Sequence, residues 1–207
     1  MKLAIIDYGS GNLHSAAKAF EKESGKGKVV VTSNAKDLDD ATHIVLPGVG
    51  AFYDCMTGLL EVKDMFSSLE ENVLGKKKPF LGICVGMQLL ADKGLEHGEN
   101  KGFGWIKGKV TPIKPRNKSL KIPHMGWNEL KIKGKHPLFD GIKDGDHAYF
   151  VHSYHMECKD GADIKAEADY GGSITAAVAN GNIMGVQFHP EKSQETGLKL
   201  INNFMKI

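Results

Sequence analysis

The chain has 207 residues, enough to bury one substantial core, with 41% apolar and 25% charged residues. Lys plus Arg (27) and Asp plus Glu (25) nearly cancel to a net charge of +2, which argues against nucleic acid or an anionic membrane as the main partner. No apolar run is long enough to span a bilayer, no signal-peptide-like segment precedes the first strand, and three cysteines (Cys55, Cys84, Cys158) cannot all pair, so a reducing cytoplasm is the expected compartment.

Lys2 to Ile6 reads as a short apolar strand opening into Asp7-Tyr8-Gly9-Ser10-Gly11-Asn12, after which Leu13, Ala16, Ala17 and Phe20 recur at helical spacing. The two glycines suggest a dinucleotide fingerprint, but position 14 is His14, so a tight turn is the simpler reading. Val29 to Thr32 is the next strand, and His43 to Leu46 a third, after the polar stretch Ser33 to Asp40. Strands alternating with helices predict an α/β fold with an open, mostly parallel central sheet flanked by helices. Pro47 to Phe52 follows the third strand and should lie at the carboxyl ends of the strands, where such sheets bind ligands; a glycine-rich turn without chemistry is the alternative. Phe52 to Leu74 is helical, interrupted near Glu61 to Lys63, and Gly75 followed by three lysines ends it.

Phe80 to Ile83 is apolar on both faces, as a central parallel strand should be, and Met87 to Leu90 are good helix formers. Cys84 stands where they meet. Gly82 and Gly86 flank it two residues to each side, which allows the tight strand-to-helix turn of a nucleophile elbow. The N–H groups opening a helix there would stabilise a thiolate, and the Val85 N–H would face a developing oxyanion. A lone cysteine after an apolar strand is by default inert packing, so the reading needs partners.

Beyond an irregular stretch from Asp92 to Gly104, Lys109 to Ile113 reads as a strand and the basic run to Lys121 as an exposed connection. Trp127, in Pro123-His124-Met125-Gly126-Trp127-Asn128, would by default pack in the core. Ala148 to His155 is strongly β-prone; His152 and His155 superficially suggest a metal pair, but no second cluster supports one, and neither metal nor cofactor is expected. Ile164 to Ala168 and Ile174 to Ala179 are further strands, and Asn180-Gly181-Asn182 signals a hairpin into Ile183 to Phe188, which adds an antiparallel portion to the sheet. That last strand ends in His189-Pro190-Glu191. Pro190 holds the backbone extended there, so side chains 189 and 191 point the same way and Glu191 could orient the His189 imidazole. Cys84, His189 and Glu191 then supply nucleophile, base and orienter for covalent acyl transfer. Lys192 to Ile207 closes the sequence as a helix, in a single domain over 1–207.

These segments resemble the class I, or triad, glutamine amidotransferases, which have a flavodoxin-like α/β fold and hydrolyse L-glutamine to glutamate and ammonia through a Cys thioester. Ile6-Asp7-Tyr8-Gly9-Ser10-Gly11-Asn12-Leu13 and Pro123 to Asn128 resemble one branch of that family, the glutaminase subunits of imidazole glycerol phosphate synthase in histidine biosynthesis. Met87, where the anthranilate-synthase type usually has His, points the same way. The resemblance implies catalysis by Cys84, His189 and Glu191, and oxyanion or glutamine contacts from Gly48, Val49, Gly50, Val85, Gln88, Glu96, Ser153 and Tyr154. It also implies a (β/α)8-barrel cyclase partner that consumes the ammonia, met by Asn12, Trp127 and Lys192. The rival readings are a related subunit feeding another synthase, such as a sugar-modifying one, and a non-catalytic α/β binding module.

Overall fold

A computed structural model describes all residues, 1–207. The first unit is β1 (Lys2–Ile6), α1 (Leu13–Glu23) and β2 (Lys28–Thr32), with β1 and β2 parallel. Ala16, Ala19 and Phe20 form the buried face of α1. The polar stretch after β2 contains one short helix, α2 (Asp37–Asp40), whose buried residue is Leu38. β3 (His43–Gly48) runs two residues beyond its expected end, because Pro47 and Gly48 continue its register beside Ile83 and Cys84. α3 (Phe52–Glu61) and α4 (Met65–Leu69) are separated at Val62 to Asp64, where Asp64 takes a positive φ of 59°. A π-helical turn, Glu70–Gly75, follows.

β4 (Phe80–Cys84), buried along its whole length, leads into α5 (Val85–Gln88), which is one turn rather than the longer helix the residue types suggest. The carbonyls of Leu89, Leu90 and Ala91 accept hydrogen bonds from the N–H groups of Phe103, Ile106 and Gly104, respectively. Tertiary partners thus outcompete continuation of the helix. The irregular stretch holds the small strands β5 (Lys93–Gly94) and β6 (Asn100–Lys101). β7 (Gly108–Pro112), β8 (His124–Glu129), β9 (Lys131–Ile132), β10 (His147–His152) and β11 (Tyr154–Cys158) follow. The β-prone run expected from Ala148 to His155 is divided at Ser153, since β10 pairs with β8 and β11 with β7. β12 (Ile164–Asp169), β13 (Ser173–Asn180), β14 (Ile183–Val186) and α6 (Gln194–Phe204) complete the chain.

The main sheet has eight strands in the order β2-β1-β3-β4-β14-β13-β12-β9. β2 through β14 are parallel in that order, and the remaining three strands antiparallel. The turn at Gly181, with φ of 57°, closes the expected β13–β14 hairpin. One contiguous cluster of 50 buried residues joins both portions, so the strands carrying Cys84 and His189 are held by the same packing. No helix is long and apolar enough to cross a membrane.

Candidate active site

The end of β4 and the segment after β14 bring the chemistry together, because these two parallel strands are neighbours with Ile83 opposite Val186. Cys84 leaves β4 with φ of 55° and ψ of −112°, a conformation that turns the chain sharply above the strand tips. Such a turn needs glycines nearby. A Cβ on Gly82 would lie 2.4 Å from the Gly86 carbonyl oxygen, and one on Gly86 would lie 1.9 Å from that of Leu46. Since α5 is a single turn, its macrodipole is small, and Cys84 at its start makes no side-chain capping hydrogen bond.

His189 and Glu191 are almost fully buried, with side chains 4% and 3% exposed, and His189 Nδ1 lies 2.8 Å from Glu191 Oε1. The geometry differs from the extended one expected of the sequence: Pro190–Lys192 form a 3-10 turn, and the contact closes across it. His189 Nε2 is buried without a hydrogen-bond partner. Burial disfavours the charged ring, but the Cys84 thiol and the Glu191 carboxylate outweigh it and raise His189 to about 9.

Cys84 and His189 share a cavity of about 310 Å³ with Val49, Gly50, Val85, Gln88, Glu96, Ser153 and Tyr154, and with Pro123, Val151 and His152. Of the residues expected to bind substrate, only Gly48 lies off this wall, since it ends β3 beside Cys84. Glu96 Oε2 accepts the Phe52 N–H at 2.8 Å, which tethers its loop to α3. The Val49 N–H donates to Ser10 Oγ at 3.1 Å, and Ser10 Oγ donates to the Val49 carbonyl at 2.6 Å. That amide is therefore engaged rather than free for an oxyanion. A larger hollow of about 910 Å³, among residues such as Ile132, His136, Phe139 and Asn203, is lined by no cysteine and by none of the expected residues.

Beside the cavity, Trp127 is 47% exposed and Met125 61%, so this tryptophan is not the core residue that its size suggests by default. Its ring packs edge-on to Tyr149 at 5.9 Å, and Lys192 Nζ lies 5.7 Å from the centre of the same Tyr149 ring. Asn12 precedes α1 and makes no capping hydrogen bond. His152 is not arranged as a metal ligand with His155: its Nδ1 is 2.8 Å from the Tyr154 carbonyl, and no group of three His, Cys, Asp or Glu side chains is arranged to hold a metal ion.

One polar residue at the site escaped the sequence reading. Gln187, fully buried, places its Nε2 3.7 Å from Cys84 Sγ. Strand alternation could have found it, because 187 and 189 share a face of an extended segment.

Comparison with known proteins gives the family. Residues 4–207 match the family described as glutamine amidotransferase class-I. The chain is 54% identical to the imidazole glycerol phosphate synthase subunit HisH of Brucella suis over 213 aligned positions, covering 100% of this chain and 99% of that one. It is 53% identical to the subunit of the same name from Ruegeria pomeroyi, covering 99% and 98%. Among solved structures, PurLQS from Thermotoga maritima shares the fold with a TM-score of 0.73 at 20% identity, over 99% of this chain and 97% of that one. With a family match over nearly its whole length and relatives more than half identical end to end, the chain belongs to the class-I glutamine amidotransferases, in the branch of the HisH subunits.

Proposed function

We propose that residues 1–207 form the glutamine-hydrolysing subunit of an imidazole glycerol phosphate synthase, with Cys84, His189 and Glu191 as its catalytic triad. The observation that carries this reading is the buried His189–Glu191 pair at 2.8 Å, opening onto the same cavity as a positive-φ cysteine. Cys84 sulfur attacks the side-chain amide carbon of L-glutamine. His189, already holding the proton that the thiol gives up, passes it to the departing nitrogen, leaving a glutamyl thioester and ammonia. Water, deprotonated by His189, then releases glutamate and restores the thiol. Glu191 holds the imidazole throughout. The Val85 N–H and one amide from Gly48 to Gly50 stabilise the oxyanion. Gln88, Glu96, Ser153 and Tyr154 hold the substrate.

Free ammonia would be protonated and lost in water, so a subunit that only releases it needs a synthase docked over the exit. The partner is a (β/α)8-barrel cyclase, met by Asn12, Trp127 and Lys192, in the cytoplasm. It makes imidazole glycerol phosphate and an aminoimidazole ribonucleotide for histidine biosynthesis. In the reconstituted pair, Cys84→Ala should abolish glutamine hydrolysis while synthesis from added ammonium persists. Hydrolysis that continues without the thiol would remove the assignment.

A further inference from the structure

A carbonyl oxygen can only accept a hydrogen bond, and one such atom sets the direction of a buried chain that ends on the nucleophile. The Tyr154 carbonyl lies 3.0 Å from the terminal nitrogen of Gln88 and 2.8 Å from His152 Nδ1. Gln88 must therefore turn its NH₂ group that way. The second hydrogen of that group goes to Gln187 Oε1 at 3.0 Å. With its oxygen committed to Gln88, Gln187 has no choice but to present Nε2 to Cys84 Sγ, 3.7 Å away. All members of this chain are hydrogen-bonded, and Gln187 is 0% exposed, Gln88 3% and His152 6%.

A wholly buried primary amide is costly unless it is hydrogen-bonded, and the partner that the Gln187 side-chain N–H finds is the Cys84 sulfur. Gln187 plays no part in the triad scheme, yet its donor touches the reacting atom. We propose that Gln187 is a further catalytic residue, whose N–H donates to the Cys84 sulfur and stabilises its thiolate, with its polarity dictated by the Tyr154 carbonyl through Gln88. The neutral His152 ring, its Nδ1 proton on the same carbonyl and its Nε2 2.9 Å from His124 Nδ1, is the positioning residue on the other side of that carbonyl.

The inference rests on the glutaminase reading for its purpose, but the test needs no glutamine. The rate of Cys84 alkylation by iodoacetamide is measured against pH for the full chain and for Gln187→Met, which has similar volume and no donor. A hydrogen bond to a charged group shifts an ionisation about tenfold, and thiolate nucleophilicity compensates for roughly half of that on a logarithmic scale. The variant should therefore react about threefold more slowly on the acidic limb and about threefold faster on the alkaline plateau. A loss by the same factor at every pH, or an unchanged profile, overturns the proposal. If Gln187→Met does not fold, the wild-type side-chain amide signal of Gln187 decides by NMR. It should titrate together with the Cys84 thiol and lose that titration in Cys84→Ala, and a signal indifferent to the thiol overturns the proposal equally. Failure of glutamine hydrolysis in the wild type, with these alkylation results intact, would instead reject the glutaminase reading.

Discussion

His189 Nδ1 and Glu191 Oε1 meet at 2.8 Å although only Pro190 separates them, because the chain turns through a single 3-10 turn instead of running on as a strand. The carboxylate fixes the proton on Nδ1 and leaves Nε2 to exchange protons with the sulfur. Glu191→Gln should lower kcat by roughly 10² to 10⁴-fold with little change in KM. Steady-state glutaminase assays with the synthase partner present test this. A variant within threefold of wild type would leave Glu191 no orienting role.

The same pair makes stability depend on pH in a definite direction. Against burial, the Cys84 thiol and Glu191 raise His189 to about 9, whereas an unfolded histidine titrates near about 6.5. Between those values the native state holds a proton that the unfolded chain has released. The stabilisation is thus complete below pH ~6.5 and is lost as pH rises through ~9. The difference in melting temperature between wild type and Glu191→Gln should shrink across this window. A difference that stays level, or widens with pH, contradicts the assignment.

Ser10 ties down the Val49 amide through its hydroxyl. Removing the acceptor in Ser10→Ala frees that N–H for an oxyanion, and a single such donor is worth about 10²-fold or more when well placed. Glutamine hydrolysis by the isolated chain should rise, on the order of tenfold, while the rate with partner changes little, so the stimulation ratio falls. An unaltered ratio would mean that Ser10 does not restrain the loop.

Gly86 has no room for a side chain, since an added Cβ would lie 1.9 Å from the Leu46 carbonyl oxygen. Gly86→Ala must push the elbow off β3, at a cost of about 3 kcal/mol. Urea unfolding should show that loss together with slower Cys84 alkylation. Full retention of both would show that the turn has more slack than its packing implies.

Trp127, 47% exposed beside Tyr149 and Lys192, has the size and position of an interface anchor. Trp127→Ala should weaken binding of the partner subunit about thirtyfold, without lowering the melting temperature of the isolated chain. Calorimetric titration measures the first and a thermal scan the second. Equal affinity with and without the indole would move the docking surface elsewhere.

The strand, elbow and hairpin assignments were legible because each rests on short-range physics. β4 is apolar on both faces and is buried on both. Asn180-Gly181 suits a tight turn and makes one. The helix after Cys84 was overestimated because the residues from Met87 to Leu90 are good helix formers, while the loop that claims the Leu89 to Ala91 carbonyls lies more than ten residues away. Trp127 departs from the default of core packing for a related reason: size and hydrophobicity measure a tendency to be buried, not the presence of a neighbour to bury against.

What the sequence determined by itself is the set of groups and the strands that bear them: a cysteine between two glycines, a histidine and a glutamate at the end of an apolar run, in an α/β order. These are local properties, set by backbone sterics and by the periodicity of apolar residues. Tertiary structure alone decided that β4 and β14 are neighbours, that the Val49 amide is held by Ser10, and that Gln187 faces the sulfur. Each of these joins positions tens of residues apart, and only the packing of the whole sheet, which no single segment encodes, sets which strands lie side by side.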